Sequence, residues 1–255
     1  AVLTLLAGVV FVILHGRLAL GWKRLAVFAG VTVAVSFTAE AVGVATGWVF
    51  GPYHYTDNLG FKILGVPPLV QAGYVAMSYA SLTIARVILG KLGPLRGWSF
   101  AAVALAGALV MVSWDVAMDP YQSTVSGDWI WHDGGPYFGV PLHNYAGWFG
   151  TVIVFLLIYL AYERAHPLPE PAGATACRWF WALPVFYYAL LGLSIVIVPL
   201  VGGVSLPFAS PQNYSGSLDV LEQSLTLVAI FVMGPPVVLA LARLGLDRPP
   251  AASQP

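Results

Sequence analysis

The sequence predicts an all-α fold: a polytopic membrane helix bundle of about seven transmembrane helices, with structured loops on its non-cytoplasmic side. Three observations predict it. Of the 255 residues, 59% are hydrophobic and only 9% are charged, whereas soluble domains run near 25% charged. Seven apolar runs are long enough, or nearly so, to span a bilayer, which takes about 20 residues per helix. The loops between these runs alternate sharply in basic content.

The runs fall at 1–15, 25–47, 67–90, 98–119, 144–163, 179–201 and 218–243. The first is short. The last holds Pro235-Pro236, which predicts a kink. No internal repeat stands out. The expected organisation is a single transmembrane helical domain over 1–246 and a disordered, Pro/Ala-rich C-terminal tail at 247–255. The first run is not read as a signal peptide, because no basic segment precedes it and no cleavage site follows it. Eleven basic residues balance eleven acidic ones, so nothing points to nucleic acid as a partner. The lone Cys177 excludes an intrachain disulfide and a CxxC site.

The odd-numbered loops carry Arg17, Lys23 and Arg24, then Lys91 and Arg96, then Arg164 and Arg178. Arg243 and Arg248 follow at the C-terminal end. The second loop has only Lys62, and the fourth and sixth have no lysine or arginine. The positive-inside rule therefore places the odd loops and the C-terminus in the cytoplasm of a multi-pass cell-membrane protein. The acids follow the opposite pattern. Asp57, Asp128 and Asp133 lie in the outer loops, and Glu40, Asp115, Asp119, Asp219 and Glu222 lie in the outer parts of apolar runs.

Asp115 and Asp119 are four residues apart, so they share one helix face. An Asp at the centre of a membrane helix costs roughly 2.5–3.5 kcal/mol on insertion scales, and intramembrane acids are functional candidates by default. Glu40 rises from the second run to the same side, and Glu222 starts the seventh. Tyr53, Tyr55, Trp129, Trp131, Tyr137 and Phe138 stand in the outer loops and are expected to roof these acids. The competing reading for the tryptophans is an interfacial aromatic belt, and for Asp119 a polar stop before Pro120.

Clustered carboxyls in an apolar site cannot all ionise. A neutral carboxylic acid is a proton donor and an ionised neighbour is a base, while aromatic faces stabilise a passing cation. The set suits protonation of an alkene, capture of the carbocation by water and removal of the surplus proton. Asp115, Asp119 and Glu40 are the candidate catalytic residues. His54, His132 and His143 match no standard ligand spacing, so no metal is expected. His15 and His166 fall on the opposite side and read as interfacial.

The order of motifs resembles a known family. Glu40-x-x-Gly43-x-x-Thr46-Gly47, Phe50-Gly51-x-Tyr53-x-Tyr55 and Gly65-Val66-Pro67 look like its first block. Trp114-Asp115-x-x-x-Asp119-Pro120, Gly127-x-Trp129-x-Trp131 and Tyr137-Phe138-Gly139-Val140-Pro141-x-x-Asn144-x-x-Gly147-Trp148 look like its second. The pattern is similar to the CruF-type carotenoid 1,2-hydratases, which include the bisanhydrobacterioruberin hydratases. Tyr145 differs from the phenylalanine expected after the asparagine. The resemblance implies a hydro-lyase of carotenoid (isoprenoid) biosynthesis. Such an enzyme adds water to the terminal 1,2 double bond of a linear, ψ-end carotenoid and leaves a tertiary alcohol. It implies no organic cofactor. The partners are then the linear carotenoid, water and membrane lipid. Trp114, Asn144 and Glu222 join the loop aromatics as expected substrate-binding residues. The competing class is non-enzymatic: a proton-coupled transporter, or a lipid- or carotenoid-binding protein.

Overall fold

A computed structural model describes residues 2–202, 214 and 216–246. The tail expected to be disordered lies outside these residues, as does most of the sixth loop. The chain is an all-α membrane bundle. Helix α1 is Val2–Ala19, α2 Trp22–Thr46, α3 Pro68–Ile88, α4 Ser99–Asp119, α5 Leu142–Ala165, α6 Arg178–Gly202, α7 Leu218–Val228 and α8 Gly234–Leu246. A π-helical turn, Ala229–Met233, joins α7 to α8 without a break, so seven helical rods stand among the described residues. The five rods at Trp22–Thr46, Ser99–Ser126, Leu142–Ala165, Arg178–Ile197 and Leu218–Gly245 are long and apolar enough to cross a membrane.

Helix α3 is the hub of the bundle. It packs against α1, α2, α4, α6 and α8, and 14 of its 21 residues are buried. A helix that faces protein on every side needs no lipid-facing apolar surface, so it can carry Gln71, Ser78, Ser81, Thr83 and Arg86 in its interior. Its C-terminal end is fixed by an ion pair between Arg86 and Glu163 of α5, both buried. Arg86 also donates to the Lys91 carbonyl at 2.7 Å. His15 is likewise buried and not interfacial. Its ring nitrogens meet the Tyr79 hydroxyl at 2.6 Å and the Phe180 carbonyl at 2.9 Å.

Two proline sites expected to interrupt helices, Pro120 and Pro235-Pro236, are absorbed by π-helical turns. The first turn, Pro120–Ser126, prolongs α4 beyond Asp119, so Asp119 is not a helix stop. Pro120 has no N–H to offer the carbonyl four residues earlier, and the Tyr137 hydroxyl donates to that carbonyl, Val116 O, at 3.1 Å. The second turn ends just before Pro235-Pro236.

The second and fourth loops also contain strands. Strand β1 (Tyr53–Tyr55) pairs antiparallel with β2 (Trp129–Trp131), in register Tyr53 to Trp131, His54 to Ile130 and Tyr55 to Trp129. After each strand comes a tight turn closed by a two-residue bridge, Ile63 to Val66 in one loop and Tyr137 to Val140 in the other. Leu64 and Gly65 have φ of 50° and 81°, and Phe138 and Gly139 have 51° and 89°. Two successive positive φ angles are the mark of a type I′ turn. The matching Gly-Val-Pro then enters α3 and α5.

This structure corrects the expectation of no internal repeat. The units α2–β1–turn–α3 and α4–β2–turn–α5 run through the same features in the same order. Their contacts are reciprocal: α2 packs on α5 as α3 packs on α4. At equivalent positions after the turns, Tyr74 and Trp148 stack on each other with centroids 4.4 Å apart and planes 6° off parallel.

Removing one partner of a buried ion pair leaves an uncompensated charge. Arg86→Met alone is therefore expected to destabilise the protein by about 3–5 kcal/mol. The double variant R86M/E163L should lose less than R86M does. Thermal unfolding of the detergent-purified protein measures both.

Candidate active site

The buried residues of α2, namely Leu25, Phe28, Thr32, Ser36, Glu40 and Gly43, recur every three or four positions and mark one helix face. Glu40 lies on that face, 2% exposed. Its carboxylate accepts three tyrosine hydroxyls. Tyr53 and Tyr55 of β1 donate to Oε2, Tyr55 at 2.8 Å, and Tyr74 of α3 donates to Oε1 at 2.7 Å. Burial first, and the Glu40 carboxylate second, hold the Tyr53 and Tyr55 phenols well above the ordinary tyrosine range, so both remain donors.

Asp115 and Asp119 lie on one face of α4, each 1% exposed. Asn144, in the first turn of α5, joins them. Its Nδ2 donates to Asp119 Oδ2 at 2.6 Å and to Asp115 Oδ2 at 3.3 Å. Trp129 Nε1 donates to Asp119 Oδ1 at 2.8 Å. Asp115 Oδ1 is buried without a hydrogen-bond partner.

The strand pair forms the roof. Side chains alternate along a strand, so Tyr53, Tyr55, Trp129 and Trp131 share the inner face while His54 lies outside. On that outer face His54 Nδ1 meets His132 Nε2 at 2.8 Å. The inner rings touch in sequence. Tyr53 lies 4.9 Å from Trp131 and 5.4 Å from Tyr55, and Tyr55 lies 6.0 Å from Trp129. The Tyr74–Trp148 stack forms a wall, with Trp114 edge-on to Trp148 at 6.3 Å.

These groups enclose a cavity of about 380 Å³, within the usual range for a ligand site. Its polar end holds Glu40, Asp119 and Asn144 under the roof. Its apolar arm runs between helices, past Leu5 of α1, Gly73 and Met77 of α3, Leu191 and Ile195 of α6 and Leu225 of α7. Trp114 and Glu222 also line it.

Three of the expected residues stand outside the lining. Asp115 lies behind Asp119 and reaches the site through Asn144. The Tyr137 hydroxyl caps the carbonyl freed by Pro120, and its phenol is pushed up to about 12 by burial and then by the Asp119 charge. Phe138 occupies the strained turn, and its carbonyl accepts from Thr124 at 2.6 Å. Conversely, Tyr74 and Trp148 line the cavity and were not expected as site residues. The Tyr74 that follows Gly73 two turns into α3, and the Gly147-Trp148 pair, were the available signals. Among the described residues, no group of three or more His, Cys, Asp or Glu is placed to hold a metal ion.

Residues 1–210 match the family model described as carotenoid biosynthesis protein. A curated relative, the bisanhydrobacterioruberin hydratase of Haloarcula japonica, is 32% identical over 133 residues, or 51% of this chain and 43% of the relative. The matched stretch thus spans less than half the length of that protein. No solved structure matches the chain. With the family model covering most of its length, the chain belongs to the carotenoid biosynthesis protein family.

Proposed function

We propose that the protein is a hydro-lyase that adds water across the terminal 1,2 double bond of a linear, ψ-end carotenoid, giving a tertiary alcohol. One observation carries this reading. A single cavity holds Asp119 and Glu40 beneath an aromatic roof and continues as an apolar arm between helices. The hydratase name of the Haloarcula japonica relative supports the same reaction class.

The proposed chemistry follows from Markovnikov addition. Asp119, as the carboxylic acid, delivers a proton to C2, the less substituted carbon of the double bond. Positive charge develops on the tertiary carbon C1, beside the faces of Tyr53, Tyr74, Trp131 and Trp148. A water molecule attacks C1, and the surplus proton passes from the new oxonium to Glu40. Return of that proton to Asp119 through solvent closes the cycle with no net proton consumed. Asp119 is preferred over Asp115 as the donor because it lines the cavity and Asp115 does not. Asp115 then serves as a positioning residue that holds Asn144.

The polyene would enter laterally through the apolar arm. An extended linear carotenoid is about as long as the bilayer core is thick, on the order of 30 Å, so only its end reaches the carboxyls. The roof would face the non-cytoplasmic side and the C-terminus the cytoplasm, as the loop charges direct. The paired helical units are the observation that favours the non-enzymatic alternative, because repeats are common in transporters. The gathering of Glu40 and Asp119 among aromatic rings in one cavity favours chemistry.

In cells that accumulate lycopene, the wild-type chain is expected to yield pigment heavier by one water per reacted end, with the polyene absorption unchanged. Asp119→Asn and Glu40→Gln should each lower hydration by roughly 10²–10⁴-fold, the usual scale for a lost general acid or base. Asp115→Asn should lose less. Full hydration by both D119N and E40Q would place the chemistry elsewhere. Tyr74→Phe removes one of the three donors to Glu40 and should slow hydration roughly 10-fold or more, in line with a hydrogen bond to a charged group. Initial rates of pigment conversion measure it.

A further inference from the structure

The cavity has a charge character that hydration alone does not require over its whole surface. Glu40, Asp119, Asp128 and Glu222 all line it, and among the described residues no lysine, arginine or histidine does. Six of the aromatic residues that line it form two contiguous groups, the Trp129–Tyr55–Tyr53–Trp131 series and the Tyr74–Trp148 stack. Glu40 is fixed by three hydroxyl donors and Asp119 by two N–H donors, so neither carboxyl has to be reoriented to meet a ligand.

Aromatic faces around a permanent, weakly hydrated cation form the standard recognition element for quaternary ammonium groups. The apolar arm that leaves this cage fits a flexible hydrocarbon tail. We infer that the cavity binds amphiphilic quaternary ammonium ions, with the trimethylammonium head in the aromatic cage and a branched, isoprenoid-like tail in the arm. The inference rests on the proposed reading of the same site, in that the nitrogen would occupy the place of the tertiary carbocation. A ligand that carries this charge permanently should bind more tightly than the neutral substrate end, as transition-state mimics do.

The probe is geranyltrimethylammonium, compared with the neutral hydrocarbon in which carbon replaces nitrogen and with geranyl sulfate. Binding to the full chain in maltoside micelles is read by quenching of tryptophan fluorescence and by calorimetry. The expected result is an ammonium affinity roughly 30-fold above that of the neutral isostere, the ratio a desolvated cation–π contact gives, and no saturable binding of the sulfate. Glu40→Gln should cut the ammonium affinity at least 10-fold and leave the isostere unchanged. The wild-type ratio stands as a test by itself if that variant does not fold. Equal affinity for ammonium and isostere, or tighter sulfate binding, would overturn the inference. The hydration assay separates this test from the reaction. An active hydratase without ammonium preference sinks only the ligand inference. Ammonium preference in a chain that leaves pigment mass unchanged sinks only the reaction.

Discussion

One buried carboxylate constrains the end of the bundle that carries the two strands. Glu40 sits among helices where water is scarce, and a charge there is tolerated only when its oxygens are hydrogen-bonded. The donors come from three separate places: Tyr53 and Tyr55 on β1, and Tyr74 two turns into α3. For all three to arrive, β1 must lie across the end of α2, and α3 must start close beneath it. The strand cannot lie there alone, because two or three residues of extended chain are not stable unpaired. It is held by β2, which brings Trp129 onto Asp119 and Trp131 against Tyr53. The roof, the walls and the second acid are therefore linked to the hydrogen bonding of one side chain.

The second constraint is the pairing of two similar units. Each runs through a helix with buried acid, a strand with two inward rings, a type I′ turn and a second helix whose aromatic, Tyr74 or Trp148, stacks on that of the other unit. Both units supply the residues at the polar end of the cavity, so neither unit alone could form it. The units are not equivalent in chemistry. One offers a carboxylate wrapped in hydroxyls, the other two carboxylates sharing an asparagine. Environments that differ in this way let two acids take different roles in one reaction. The turns at Leu64 and Phe138, each strained by about 1–3 kcal/mol through backbone conformation, recur in both units, each just before the helix that carries Tyr74 or Trp148.

Much of this was legible in the sequence. The apolar runs located all seven rods within a few residues, since membrane insertion demands a near-uniform hydrophobic stretch that survives any packing detail. Glu40, Asp115 and Asp119 stood out because an acid in such a stretch is costly. The strands were less visible. Tyr-His-Tyr and Trp-Ile-Trp do alternate, but three residues are too few for a period to rise above chance. The repeat stayed hidden because it is carried by backbone conformation and by a few loop residues, while the helices diverge freely in sequence. Pro120 was misleading for a local reason: the carbonyl it leaves without a donor is satisfied by Tyr137, a residue seventeen positions further on. No sequence pattern announces such a rescue, and it also explains why Tyr137 lies outside the cavity it was expected to line.

Protonation of carbon and delivery of water to the adjacent tertiary centre leave separate isotopic marks on the product. Isotope incorporation tests both most directly. Membranes containing the protein and a linear ψ-end carotenoid are incubated in deuterium oxide enriched in oxygen-18, and the pigment is analysed by mass and by nuclear magnetic resonance after back-exchange. The expected product carries one carbon-bound deuterium at C2 and one oxygen-18 at C1 for each end converted. A hydroxylated product with no deuterium on carbon, or with oxygen drawn from a source other than water, would contradict the proposed reaction.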